Sequence, residues 1–415
     1  MIQSWGVQKT KRSYIEIWIL LLLIFSVNFF DLLPITQRVG PNGPFTFYLL
    51  SLFLVFTFYR RAWIRDSIDW LKPFWWFYVG VALSFIPALL NYGQSFGQSF
   101  FTNRRMFELV AFPILIALRP SEKELRTALY AFSVLYLILS LFVTFIAPDW
   151  VFFDEKHPFI DEGDFVHVLP GIRHVSLAFI FALQRVIRDN NGHNMRVALY
   201  IFGIMFLVQN RTSLFAALII VMYVILSMKM NAQKLILLVV IGLTLLLMGV
   251  YTSGQWGAMY QMTVDQITNP EYNRIKALLY MFSTRDPLRY LLGEGFISAN
   301  VNPIILVLQE NGIYHSDVGF VGLWHMYGVI PTITVLVMTF KGLLNRNKSF
   351  LVRASAIYIL VGSLTLSFFA FGETLLWLSI YLYMFYSDGE PYFNDRSVTA
   401  TYVGWSGRRF RSIAD

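Results

Sequence analysis

The chain has no cysteine, so disulfides, thiolate metal ligands and thiol nucleophiles are all excluded. Charge is sparse as well. Only 14% of the 415 residues are Asp, Glu, Lys or Arg, against about a quarter in a soluble domain. There is no phosphate-cradling Gly-rich loop, no His-x-x-x-His pair on a helix and no Asp-x-Asp in an exterior loop. Nucleotide chemistry and metal dependence are therefore not expected, and no cofactor is implied. No internal repeat stands out, which weakens a transporter built from inverted repeats.

What fills the chain instead is apolar. Hydrophobic residues make up 56% and aromatics 17%, a composition suited to lipid-facing surfaces and interfacial belts. The expected fold is all-α: a polytopic integral membrane protein of about twelve helices, each run long enough to cross ~30 Å of hydrocarbon. Spans are expected near Ile15–Leu33, Pro44–Tyr59, Phe74–Asn91, Phe101–Leu118, Leu125–Ala147 and Val168–Val186. Further spans fall near Val197–Gln209, Thr212–Met228, Leu235–Tyr251, Val318–Phe340, Ala354–Gly372 and Thr374–Tyr386. Lys9, Lys11 and Arg12 precede the first span, which has no small-x-small cleavage site and so reads as a helix with a cytoplasmic start.

Basic residues fix the expected orientation. Arg60, Arg61, Arg65, Arg119, Lys123, Arg188, Lys341 and Arg353 fall on one side of this threading, which the positive-inside rule makes cytoplasmic. Asp149, Asp154, Glu155, Asp161, Glu162 and Asp164 fall on the other. The net charge of +8 thus records orientation, and nucleic-acid binding is not expected. Four regions follow. Residues 1–251 hold the first nine spans, with a short acidic exterior loop at 148–167. Residues 252–317 form a long exterior loop with a helix near Glu271–Phe282 and a Gly-rich turn at Gly293-Glu294-Gly295. Residues 318–386 hold the last three spans, and 387–415 form a basic cytoplasmic tail.

Some basic residues lie on the wrong side. Arg104 and Arg105 stand at the exterior start of a span, Arg173 at the exterior end of another, and Arg211 between two closely spaced spans. Arginine at membrane depth is costly and normally faces a cavity or a partner. Arg104 and Arg105 equally fit snorkelling to lipid phosphates. Convergence of such residues would make an anion site, because guanidinium pairs with phosphate through two donors. His315 is the candidate base. Asp317 would orient it, pair with an arginine or bind sugar hydroxyls. Both also fit as the cap of the helix that starts near Val318. His174 is either a second polar group of the cavity or a donor to a backbone carbonyl, and His325 is read as structural.

Several segments together resemble the O-antigen polymerase and O-antigen ligase superfamily of bacterial envelopes. They are Pro170-Gly171-Ile172-Arg173-His174, Gln209-Asn210-Arg211-Thr212-Ser213, Leu292-Gly293-Glu294-Gly295 and Tyr314-His315-Ser316-Asp317 with Gly319. The resemblance implies a metal-independent, inverting glycosyl transfer at the periplasmic face of the inner membrane, with a glycan on undecaprenyl pyrophosphate as donor. It implies Arg173 and Arg211 as pyrophosphate ligands and His315 as base, with Arg104, Arg105 and Arg289 as further ligands by location. The family often has Ser-Arg-Gly and His-Asn where this chain reads Asn210-Arg211-Thr212 and His315-Ser316. His-Ser-Asp is closer to the polymerase branch, which joins repeat units, than to the ligase branch, which transfers glycan to lipid A-core. The implied partners are the lipid-linked oligosaccharide, membrane lipid, a chain-length regulator and a flippase. A transporter or flippase role for the chain itself is the reading from another class.

Overall fold

The computed structural model describes residues 8–27, 42–58, 68–145, 159–161, 166–168, 171–189, 191–208, 211–227, 273–283, 286–298, 318–365 and 372–390. Shorter described pieces are 234–236, 238–239, 242–243, 301, 307–308, 311, 313 and 393. His315, Asp317, most of the span expected near Leu235–Tyr251 and nearly all of the tail lie outside the described residues.

The described chain is helical apart from one short hairpin. The first half gives α1 (Gln8–Ser26), α2 (Asn42–Phe58), α3 (Lys72–Leu83), α4 (Phe85–Tyr92), α5 (Phe96–Thr102), α6 (Ala111–Leu118) and α7 (Glu122–Phe145). Next come α8 (Ile172–Asp189), α9 (Gly192–Val208), α10 (Arg211–Ser227), α11 (Asn273–Ser283) and α12 (Pro287–Leu292). The last four are α13 (Gly319–Tyr327), α14 (Val329–Leu344), α15 (Phe350–Thr365) and α16 (Gly372–Ser387). Strands β1 (Phe159–Asp161) and β2 (Val166–Val168) pair antiparallel within the acidic loop, a small departure from the all-α expectation.

Among the described residues, two helical stretches are long and apolar enough to cross a membrane, Asp69–Tyr92 and Glu122–Phe142. Six further apolar helices are shorter. Two of the expected spans are broken, each for an identifiable reason. Pro87 has no N–H to give the Leu83 carbonyl, and α3 passes to α4 at Ser84. The run expected near Val318–Phe340 breaks at Gly328, whose φ of 79° lies in the left-handed region that glycine tolerates best. A third expected span, near Phe101–Leu118, starts as a 3-10 helix over Arg104–Val110 and becomes α-helical only at Ala111.

The core holds α6, all of whose residues are buried, with α16 packed between it and the largely buried α8. Buried phenols stitch the helices together. Tyr48 donates to the Leu22 carbonyl at 3.0 Å, Tyr381 to Met338 at 2.8 Å and Tyr383 to Pro120 at 2.6 Å. An unpaired hydroxyl in an apolar interior costs several kcal/mol, roughly 2–7 by transfer, so each bond fixes one helix pair in one register.

The two ends of the bundle differ chemically. At the lower end Glu122, 1% exposed, takes Arg188 at 2.7 Å and Arg126 at 3.3 Å. The Ser349 N–H donates to Asp388 there at 2.7 Å. The upper end gathers Ser26, Gln94, Asn103, the start of α8 and the segment 293–298 through hydrogen bonds between elements distant in sequence.

Candidate functional site

Three helix starts converge on the upper part of α15. Tyr358 stands in that helix, and its hydroxyl lies 3.1 Å from Ser176 Oγ on α8 and 2.9 Å from Ser213 Oγ on α10. Arg173 precedes Ser176 by less than one turn, and Arg211 is the residue that opens α10. The two backbones therefore enter the bundle side by side, at one depth. Trp377 of α16 stacks on Tyr358, with ring centroids 5.1 Å apart, and its Nε1 donates to the Arg173 carbonyl at 3.0 Å. Arg173 itself is half-buried.

The third start is α13. Gly319, with φ 58°, packs so closely on α15 that a Cβ there would collide with the Ser363 carbonyl. Ser363 lies five residues beyond Tyr358, about 7–8 Å along the helix axis. The chain thus enters α8, α10 and α13 around one post, α15.

Electrostatically, this arrangement favours anions. The first N–H groups of a helix lack intrahelical acceptors, and the macrodipole leaves partial positive charge there. Both α8 and α10 carry an arginine in their first turn, Arg173 and Arg211.

Other expected site residues go elsewhere. His174 is fully buried, with Nε2 2.7 Å from Ser26 Oγ and its ring edge-on to Phe132 at 5.2 Å. Ser26 donates its own proton to the Leu23 carbonyl at 2.9 Å, so the imidazole is the donor in the contact with Ser26 and ties α8 to α1. That corrects its reading as a cavity group or a donor to a carbonyl. Arg104 sends Nη1 to the Phe101 carbonyl at 3.1 Å, and Arg105 is exposed.

Arg289 belongs to a second polar cluster. Its Nη1 lies 2.9 Å from Glu294 Oε1, its Nε lies 3.6 Å from Asp286, and its guanidinium covers the Tyr92 ring at 5.4 Å. Tyr92 donates to Glu294 Oε2 at 3.0 Å, and His325 Nε2 stands 3.8 Å from Oε1. The structure thus places Arg289 in an ion pair with Glu294, apart from the Tyr358 cluster, where with Tyr290, Trp324 and His325 it lines a small cavity. Burial, then the Glu294 charge, hold the Tyr280 phenol above its usual pKa, while Arg289 pulls the other way.

The Gly293-Glu294-Gly295 segment is likewise no surface turn. It threads into the break between α13 and α14, where the Glu294 N–H donates to the His325 carbonyl and the Gly295 N–H to Met326, both at 2.8 Å. Cβ atoms at Gly293 and Gly328 would overlap the facing backbone. The buried Gln94 side chain then accepts from Ser298 N at 2.8 Å and donates to the Phe296 carbonyl at 3.0 Å. The segment is a strap that satisfies the carbonyls freed by the helix break.

The sequence matches no family model and no curated protein. Tyr358, Trp377, Ser176 and Glu294 were missed by sequence reasoning. Tyr358 is one of 22 tyrosines, and nothing local distinguishes it. Glu294 was visible only as a carboxylate between two glycines.

Proposed function

We propose that the protein is a glycosyltransferase of the bacterial inner membrane that joins undecaprenyl-pyrophosphate-linked repeat units into O-antigen, capsule or exopolysaccharide. In this reading about twelve helices span the bilayer, both termini are cytoplasmic and the upper end is periplasmic. The observation that supports it is the meeting on Tyr358 of the helices that begin with Arg173 and Arg211 in their first turns, with the start of α13 at Gly319 packed on the same helix as Tyr358.

The chemistry is an inverting displacement. An acceptor sugar hydroxyl attacks the anomeric carbon of the donor and forms the new glycosidic bond. The anomeric C–O bond to pyrophosphate breaks, and its electron pair leaves on the undecaprenyl pyrophosphate. Arg173 and Arg211 stabilise that charge, which is the electrostatic part of catalysis. His315 accepts the hydroxyl proton, a contribution of about 10²–10⁴-fold. Asp317 orients the imidazole or holds the acceptor.

The test is repeat-unit polymerisation in proteoliposomes. Arg211→Ala and His315→Ala abolish chain lengthening while insertion and abundance stay normal; normal polymer from both variants sinks the reading. Long glycan left on the carrier identifies a polymerase, and transfer to lipid A-core identifies the ligase alternative. One observation favours a transporter: the break at Gly328 resembles a discontinuous transport helix. The carbonyls of His325 and Met326 are taken by the strap, however, so they hold no ion.

A further inference from the structure

The short helix α5 has three distinct sides. Its buried seam is polar: Ser99 receives Gln94 Nε2 at 2.9 Å, Asn103 Nδ2 donates to the Ser99 carbonyl at 2.8 Å, and Asn103 Oδ1 accepts from Tyr327 at 2.9 Å. One exposed flank carries Phe96, Gly97, Phe100 and Phe101, within an arc of about 140° at 3.6 residues per turn. The phenylalanines there are 52%, 40% and 62% exposed. The other flank carries Ser95, Gln98 and Thr102, and a capping box joins Ser95 to Gln98. A helix docked through polar groups, with an apolar flank and a polar flank both uncovered, fits a boundary between hydrocarbon and water.

We infer that α5 is an interfacial anchor, with Phe96, Phe100 and Phe101 among the acyl chains of the phospholipid leaflet at the upper end and Arg105 on the lipid phosphates. Two features say what covers the flank. It continues from Leu89 and Leu90, also exposed, at the end of the membrane-long stretch Asp69–Tyr92. It is followed at once by Arg104 and the exposed Arg105, a charge complementary to phosphate headgroups. The inference concerns the bilayer alone and holds whether or not the chain transfers glycans.

The natural lack of cysteine makes the test direct. Nitroxide labels go on Gly97→Cys, where an added Cβ meets nothing within 4 Å, and on Thr102→Cys. The protein is reconstituted in phosphatidylethanolamine–phosphatidylglycerol vesicles. The label at 97 is relaxed more by oxygen than by a nickel chelate, at a depth of roughly 5–10 Å below the headgroups, and the label at 102 shows the reverse order. A third label at Arg105→Cys broadens the lipid ³¹P resonance more than the label at 102 does. Both flanks equally open to nickel overturn the inference. Both flanks shielded from both probes also overturn it and assign the patch to a protein partner.

Discussion

Two polar clusters lie inside the same apolar bundle, and they are built on opposite principles. The Tyr358 cluster is built of uncharged groups: one phenol, two serines and an indole join four helices. The Glu294 cluster is ionic and closed, its arginine matched by carboxylates on Glu294 and Asp286. Neutral groups fix the spacing of neighbouring backbone through single hydrogen bonds. The ion pair ties the Arg289 helix to the strap through Glu294.

The sharpest way to break this contrast is at the strap. Gly328→Ala forces a side chain into a left-handed position that faces the Leu291–Leu292 backbone. The expected loss is on the order of 4 kcal/mol or more, read as a collapse of the melting temperature in detergent. A near-native melt would mean the strap does not occupy the break.

Next in size is the ion pair. Glu294→Ala leaves the Arg289 guanidinium, only 24% exposed, over Tyr92 with Asp286 at 3.6 Å as its one remaining acid among the described residues. The expected cost is about 3 kcal/mol, the lower end for breaking a buried pair. In a double-mutant cycle, Arg289→Ala added to Glu294→Ala should cost much less than it does alone. Simple additivity would show the pair to be decorative.

The smallest effect belongs to the neutral cluster. Tyr358→Phe removes the hydrogen bonds to Ser176 and Ser213, each worth about 0.5–1.5 kcal/mol in stability. If the proposed function holds, polymerisation by this variant should retain its turnover number while requiring more lipid-linked donor. A fall in turnover with unchanged donor requirement would separate Tyr358 from donor binding.

Much of this was readable from residue order alone. Apolar runs located most helices, and the exterior-loop helix expected at Glu271–Phe282 is found at Asn273–Ser283. Arg211, singled out as a cation between two spans, is the residue that opens α10. These are local facts, set by helical periodicity and by the cost of charge in lipid. The breaks at Ser84 and Gly328 were not foreseen, although Pro87 and Gly328 stand in plain view. Single prolines and glycines are tolerated in apolar helices when other groups satisfy the freed backbone.

What the sequence by itself determined is the apolar, helical character of the chain and the placement of its scarce cations near helix ends. Tertiary structure decided which of those cations stay together. Glu294 meets Tyr92 across 202 positions, and His174 meets Ser26 across 148. No local pattern announces such pairs. A buried polar group must find a partner wherever the packed helices bring one, so its identity depends on the whole bundle.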